Sequence, residues 1–158
     1  MPLSFDAMPP PAEPTEILPV AALCNCLALR QATRQVTQLY DEELAAVDLR
    51  VTQYSLLSVL DRRGPTTLND LARVLVMDRS TLGHNLRPLE REGLVALAVD
   101  LEDKRARRLA LSARGRAKLK AARPHWQRAQ ARFEQSFGVA EASALRASLR
   151  KVVESAGA

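Results

Sequence analysis

Apolar residues return at helical intervals over most of this chain, and the intervals predict where its elements begin and end. From Val20 they recur at 20, 23, 27, 29, 32, 36, 39, 40, 44 and 47, which predicts one long helix running to about Ala46. Thr52 stands where an N-cap would open a second helix carrying Leu56, Leu57 and Leu60, and Gly64-Pro65 ends it. Thr67 with Asp70 three residues on resembles a capping box and opens a third helix with Leu71, Ala72 and Leu75 on its buried side. After a tight turn at Val76-Met77, Asp78 caps a fourth helix through Glu92, with Leu82, Leu86 and Leu89 inward and Gly93 as its stop. Two short helices joined in this way form a helix-turn-helix.

The pattern then changes period. Leu94 to Ala98 and Arg108 to Leu111 are short apolar runs on either side of a highly charged loop, which predicts a β-hairpin, or wing. Ser112 caps a fifth helix with the stripe Leu119, Ala122, Trp126, Ala129 and Phe133, and Pro124 is expected to bend it. Gly138 separates it from a last helix bearing Ala142, Leu145, Leu149 and Val152. The expected fold is therefore mainly α with a small β-hairpin wing: a winged helix-turn-helix over 49–112, flanked by helices at 20–48 and 113–158. The stripes of these outer helices are more than a small module covers, so they predict a helical dimerisation region and a homodimer. Six of the chain's nine prolines fall in residues 2–19, which reads as a flexible proline-rich arm over 1–19.

Composition narrows the partners. The 158 residues carry a formal charge of +5, but residues 1–20 hold three acids and no Lys or Arg, whereas Lys104 to Phe133 hold eleven Lys or Arg and no acid. Local positive charge of this kind points to an anionic partner, nucleic acid or a membrane surface. Ile17 to Leu29 is uncharged but interrupted by Pro19 and far short of the roughly 20 residues that span a bilayer, so no membrane role is expected. Without the basic flank of a secretory signal, a cytoplasmic location is expected.

The fourth helix has the chemistry of a DNA reader. Opposite its leucines it carries Arg79, Ser80, Thr81, His84 and Arg87, with Gly83 giving close approach and Asn85 at the boundary. Arg forks onto guanine, and Ser or Thr contacts phosphate, base or the thymine methyl group. The charged loop adds Lys104, Arg105, Arg107 and Arg108, four cations in five residues, suited to a minor groove of negative potential. Asp103 shapes the wing by holding an Arg in a bidentate pair. The alternatives are a solvated helix face and a solvated basic turn.

In order and spacing, residues 20–155 resemble the MarR family. The wing pattern Asp-x-Arg-(x)5-Leu-Ser/Thr is present as Asp103, Arg105, Leu111 and Ser112, with the family's glycine at Gly115, and Leu89-Glu90-Arg91-Glu92-Gly93-Leu94-Val95 is similar to the family's passage from recognition helix to wing. The resemblance implies that the first and last two helices interlock two chains, each placing its fourth helix in a major groove and its wing in the adjacent minor groove. It thus implies double-stranded DNA as partner and a pseudo-palindromic operator with half-sites about 34 Å apart. Pro88 departs from ideal helix chemistry, since it removes a backbone donor and bends the segment.

Catalytic signatures do not emerge. There is no Gly-rich phosphate loop and no carboxylate pair beside a nucleophile, His84 and His125 stand 41 positions apart, and Cys24-Asn25-Cys26 has no nearby histidine. Neither enzyme activity, metal nor cofactor is expected. The remaining question is what relieves DNA binding. One reading is a small aromatic or lipophilic effector bound between the dimer helices and the DNA module of a repressor. Another follows from a second resemblance: Cys26 to Thr37, Tyr40 and Gln53-Tyr54 are similar in register to the organic-hydroperoxide-sensing branch of the family, which implies a peroxide-reactive thiol at Cys26, with Tyr40 as its hydrogen-bond partner. Fourteen helical residues rise roughly 21 Å, so that partner would be Tyr40 of the other chain. This sequence departs from the branch at Arg30 and Val51, where the branch has tyrosines. A third reading is a sequence-indifferent architectural protein, and a fourth a winged helix used for protein contacts alone.

Overall fold

The structure, a computed structural model, describes residues 23–99 and 107–156. In chain order the elements are α1 (Asn25–Leu44), a 3-10 turn (Ala45–Val47), α2 (Val51–Arg63), β1 (Thr66–Thr67), α3 (Leu68–Leu75), α4 (Arg79–Arg91), β2 (Val95–Val99), β3 (Arg107–Leu111), α5 (Ala113–Phe137) and α6 (Val139–Ala156). The expected arm over 1–19 and the wing tip over 100–106 lie outside the described residues. The chain divides between Gln35 and Val36 into two compact units. In the first, the described residues are the opening turns of α1, where the Leu27 amide donates to Cys24 Sγ at 3.4 Å, so that Cys24 caps the helix.

In the second unit, the leucines predicted to face inward do so. Leu44, Leu56, Leu57, Leu60, Leu71, Leu82, Leu89 and Leu94 are fully buried in one core that takes in α2, α3, α4, both wing strands and Leu119 and Ala122 of α5. Each buried leucine contributes about 1.5–3 kcal/mol, more than a helix cap at about 1 kcal/mol, so packing decides that these short helices form and capping decides where they start. The caps read from the sequence at Thr67, Asp78 and Ser112 are all present: each side chain accepts the amide three residues on, from Asp70, Thr81 and Gly115.

The second helix starts differently from expectation. It opens at Val51 with Arg50 as the capping position, not Thr52, because Asp41 of α1 reaches across to accept the Val51 amide at 2.7 Å and Gln53 accepts the Arg50 amide at 2.9 Å. A third strand also joins the wing: the sheet order is β1-β3-β2, antiparallel throughout, with Thr66 opposite Leu109 and Val95 opposite Leu111. The turn between α3 and α4 passes through Val76 in the left-handed region at φ 52°, an uncommon place for a β-branched residue. Pro88 and Pro124 both sit inside continuous helices.

Helix α5 is tied to its neighbours by polar contacts. Arg128 and Arg132 pair with Glu43, Arg132 also with Glu42, and Arg146 of α6 pairs with Glu134. Tyr54 of α2 stacks on Trp126 with ring centroids 5.8 Å apart. At the far end Phe137, Val139, Leu149, Val152 and Val153 leave apolar side chains exposed on this chain.

Candidate nucleic-acid interface

Helix α4 is held from three sides. Leu82, Leu86 and Leu89 anchor one face in the core, and Asp78 fixes the N-terminus by accepting both the amide and the hydroxyl of Thr81. These two bonds, the hydroxyl's first, hold the Asp78 carboxyl below the ordinary carboxylate range. At the other end Gly93, at φ 69°, turns the chain so that the Leu94 amide closes back on the Leu89 carbonyl at 2.8 Å. Ser112 clasps this exit from outside, its hydroxyl lying 2.6 Å from the Gly93 carbonyl and 3.1 Å from that of Leu94 while it accepts the Gly115 amide.

With about 100° of turn per residue, Ser80, His84, Arg87, Pro88 and Arg91 fall on the side opposite the three leucines. Ser80, His84, Arg87 and Arg91 are exposed and engage no side-chain partner among the described residues. Arg79 is exposed too, at the flank of this stripe in the first turn. The predicted residues therefore separate into two groups. Arg79, Ser80, His84 and Arg87 are free to meet a ligand, whereas the Thr81 hydroxyl is committed to Asp78. Arg91 belongs with the free group although it was not counted among the readers; its spacing of i+7 from His84 is the signal that finds it. Around His84, Arg87, Pro88, Glu90 and Arg91 the surface forms a shallow cleft of about 470 Å3.

Of the predicted wing residues, Asp103, Lys104 and Arg105 lie outside the described residues, and Arg107 is placed by its backbone in β3, opposite Val99. Arg108 points back to the module, reaching the Pro65 carbonyl at 3.5 Å. A family description, the MarR family, matches residues 49–106, from the start of α2 to the wing tip. The transcriptional regulator MosR of M. tuberculosis, solved in complex with DNA, is 34% identical, with a TM-score of 0.75 over 85% of this chain and 96% of that one. This chain belongs to the MarR family.

Other solved structures agree with the MarR assignment. A probable transcriptional regulator from Pseudomonas aeruginosa is 27% identical, with a TM-score of 0.74 over 81% of this chain and 96% of that one. The transcriptional repressor CouR, bound to a 23-mer DNA duplex, is 26% identical, with a TM-score of 0.76 over 84% of this chain and 94% of that one. No curated protein matches the chain. The chain is thus a MarR-family transcriptional regulator with a winged helix-turn-helix, and no helix among the described residues is long and apolar enough to cross a membrane.

The two residues singled out for redox chemistry sit apart in character. Cys26 is exposed on α1, whereas Cys24 is partly covered and accepts the Leu27 amide. Tyr40 is buried, and its hydroxyl donates to Gln130 Oε1 of α5 in the same chain, leaving only its acceptor capacity for another group. Burial first, and then the Glu134 carboxylate, push the Tyr40 phenol above its ordinary value.

Proposed function

We propose that this chain is a homodimeric repressor that reads a pseudo-palindromic operator in double-stranded DNA and is released by a small effector. The observation that carries the reading is the stripe of unpartnered polar side chains on α4, held on a helix whose other face and both ends are fixed. Side chains that are exposed, cationic or hydroxylated and not spent on their own fold are what base edges and phosphates require. The exposed apolar ends of α5 and α6 support pairing with a second copy.

Effector release is supported by a cleft of about 480 Å3 between α2 and α5, within the range of small-molecule sites. Tyr54, Ser58, Val59, Leu119, Arg123 and Trp126 line it, offering aromatic and aliphatic surface to a small aromatic or lipophilic molecule. The decisive experiment selects bound sequences from random duplexes with the purified protein and measures its mass by light scattering. A pseudo-palindrome and a dimer mass are expected. Displacement by any duplex alike would establish an architectural protein instead, and absence of salt-dependent binding would establish a protein-contact module.

Exposure of Cys26 favours a second reading, a thiol-based sensor of organic hydroperoxides, since oxidation follows thiolate fraction and access. Hydroperoxide would then release DNA from wild type and from Cys24→Ser but not from Cys26→Ser. Release from Cys26→Ser would return the switch to the effector cleft.

A further inference from the structure

Helix α5 carries five cations between Arg114 and Arg123 and no acid before Glu134. Three of them, Arg116, Lys120 and Arg123, recur at i, i+4 and i+7 and so share one side of the helix. On that side Arg123 and Gln127 line the cleft between α2 and α5, and Arg62 lines it from the α2 wall. We propose that this cleft binds an aromatic molecule that carries a phosphate group, with the ring beside Trp126, the phosphate on Arg62 and Arg123, and any further phosphate on Lys120 and Arg116. The proposal rests on the effector reading of this cleft and narrows its ligand to a charged class.

The cations are available for such a ligand. Arg62, Lys120 and Arg123 are exposed and take part in no side-chain hydrogen bond or ion pair among the described residues. Arg116 is exposed too; it donates one N–H to the Leu111 carbonyl at 2.9 Å and keeps its other guanidinium donors. Against these four cations the lining holds one carboxylate, Asp61. Beside them the cleft offers Trp126, stacked on Tyr54 and only partly covered, with Val59 and Leu119 as aliphatic surface and the hydroxyls of Ser55 and Ser58.

Charge and spacing choose among ligands. A purely lipophilic guest would strip water from two guanidiniums and return no partner, which burial penalises heavily. A monocarboxylate brings one charge, which a single forked guanidinium answers. A phosphate ester brings a charge of about −1.5 to −2 at neutral pH and three acceptor oxygens, enough for an arginine from each wall of the cleft. Beyond it the stripe from Arg123 to Arg116 rises about 10 Å along the helix, so Lys120 and Arg116 extend the same contact to a second phosphate.

The test uses the full chain, reduced, and follows the fluorescence of Trp126, the chain's only tryptophan, at fixed ionic strength. The probes are phenyl phosphate and adenosine diphosphate, with phenol, adenosine and inorganic pyrophosphate as counterparts lacking either the phosphate or the ring. At least one of the two complete probes should bind about 10-fold or more tighter than its counterparts; the diphosphate alone would mark a nucleotide, phenyl phosphate alone a simple aryl ester. Arg123→Gln and Lys120→Gln should each weaken that probe, whereas Arg114→Gln, half a helical turn away from Arg123, should not. Absence of binding by both complete probes, equal binding of phenol or adenosine, or an equal loss in Arg114→Gln would overturn the proposal. So would weaker operator binding by Lys120→Gln with no probe present, which would assign the stripe to DNA phosphates. A complete probe that binds with the expected charge dependence yet leaves the protein on its operator would keep the site and overturn its role as the effector cleft.

Discussion

Replacing Gly115 by alanine should be among the most damaging single-methyl changes in this fold. A Cβ at Gly115 would overlap the carbonyl oxygen of Leu94 and lie 2.6 Å from Leu111 Cδ1. The side chain of Leu111 can turn away, but the Leu94 carbonyl cannot, because it accepts the Ser112 amide at 3.0 Å and lies within reach of the Ser112 hydroxyl. Overpacking against an immobile group costs about 3 kcal/mol, and the better helix propensity of alanine returns up to about 1 kcal/mol, leaving a net loss of about 2 kcal/mol. For a chain of this size that corresponds to a melting temperature lower by about 4–8 °C. Gly83→Ala is the matched control: nothing lies within 4 Å of its Cβ position in mid-helix, so it should gain about 0.5–1 kcal/mol. Thermal unfolding by circular dichroism, at one protomer concentration for all variants, reads both signs. A Gly115→Ala protein that melts at or above the wild-type temperature would refute the steric argument.

Other substitutions probe the remaining supports. Asp78→Ala should lower the urea midpoint at pH 7 by removing the cap of α4. Since the folded Asp78 carboxyl is held low, that stabilisation is present above about pH 4 and lost as the pH falls through the lowered value, so the wild-type and mutant midpoints should draw together as the solution is acidified. Tyr40→Phe should cost about 0.5–1.5 kcal/mol in a urea melt by removing the bond to Gln130. The raised phenol value means that Tyr40 stabilises the fold below about pH 10 and ceases to do so as the pH rises through the higher folded value, a loss Tyr40→Phe should lack. Arg105→Ala should weaken operator binding by about 1–3 kcal/mol in a titration at fixed salt, and equal affinity would exclude the wing arginine from the interface.

The caps at Thr67, Asp78 and Ser112 were legible because a cap and its amide lie three residues apart. The leucine faces were legible because one side of a short helix must be buried. What escaped is non-local. Asp41 caps a helix that begins ten residues later, which displaces its start from Thr52 to Val51. β1 is two residues long and exists only through β3, with Thr66 pairing across 43 positions to Leu109. Within the DNA face two local signals were passed over: the Thr81 hydroxyl is committed to Asp78 three residues earlier, and Arg91 stands i+7 from His84 on the same side of the helix.

The Ser112 clasp makes the end of α4 and the beginning of α5 a single pivot, because one hydroxyl sits against the carbonyls of Gly93 and Leu94 while holding the Gly115 amide. The recognition helix is then a lever with its fulcrum at the exit and its working tip at Arg79. Thirteen residues give that lever an arm of about 20 Å, so a tilt of about 5° inherited from α5 carries the tip about 1.7 Å, more than half the length of a hydrogen bond. An event felt only as a slight rotation of the long helix is thereby magnified at the end that meets the bases, and the remote faces of α5 become places from which DNA reading can be steered.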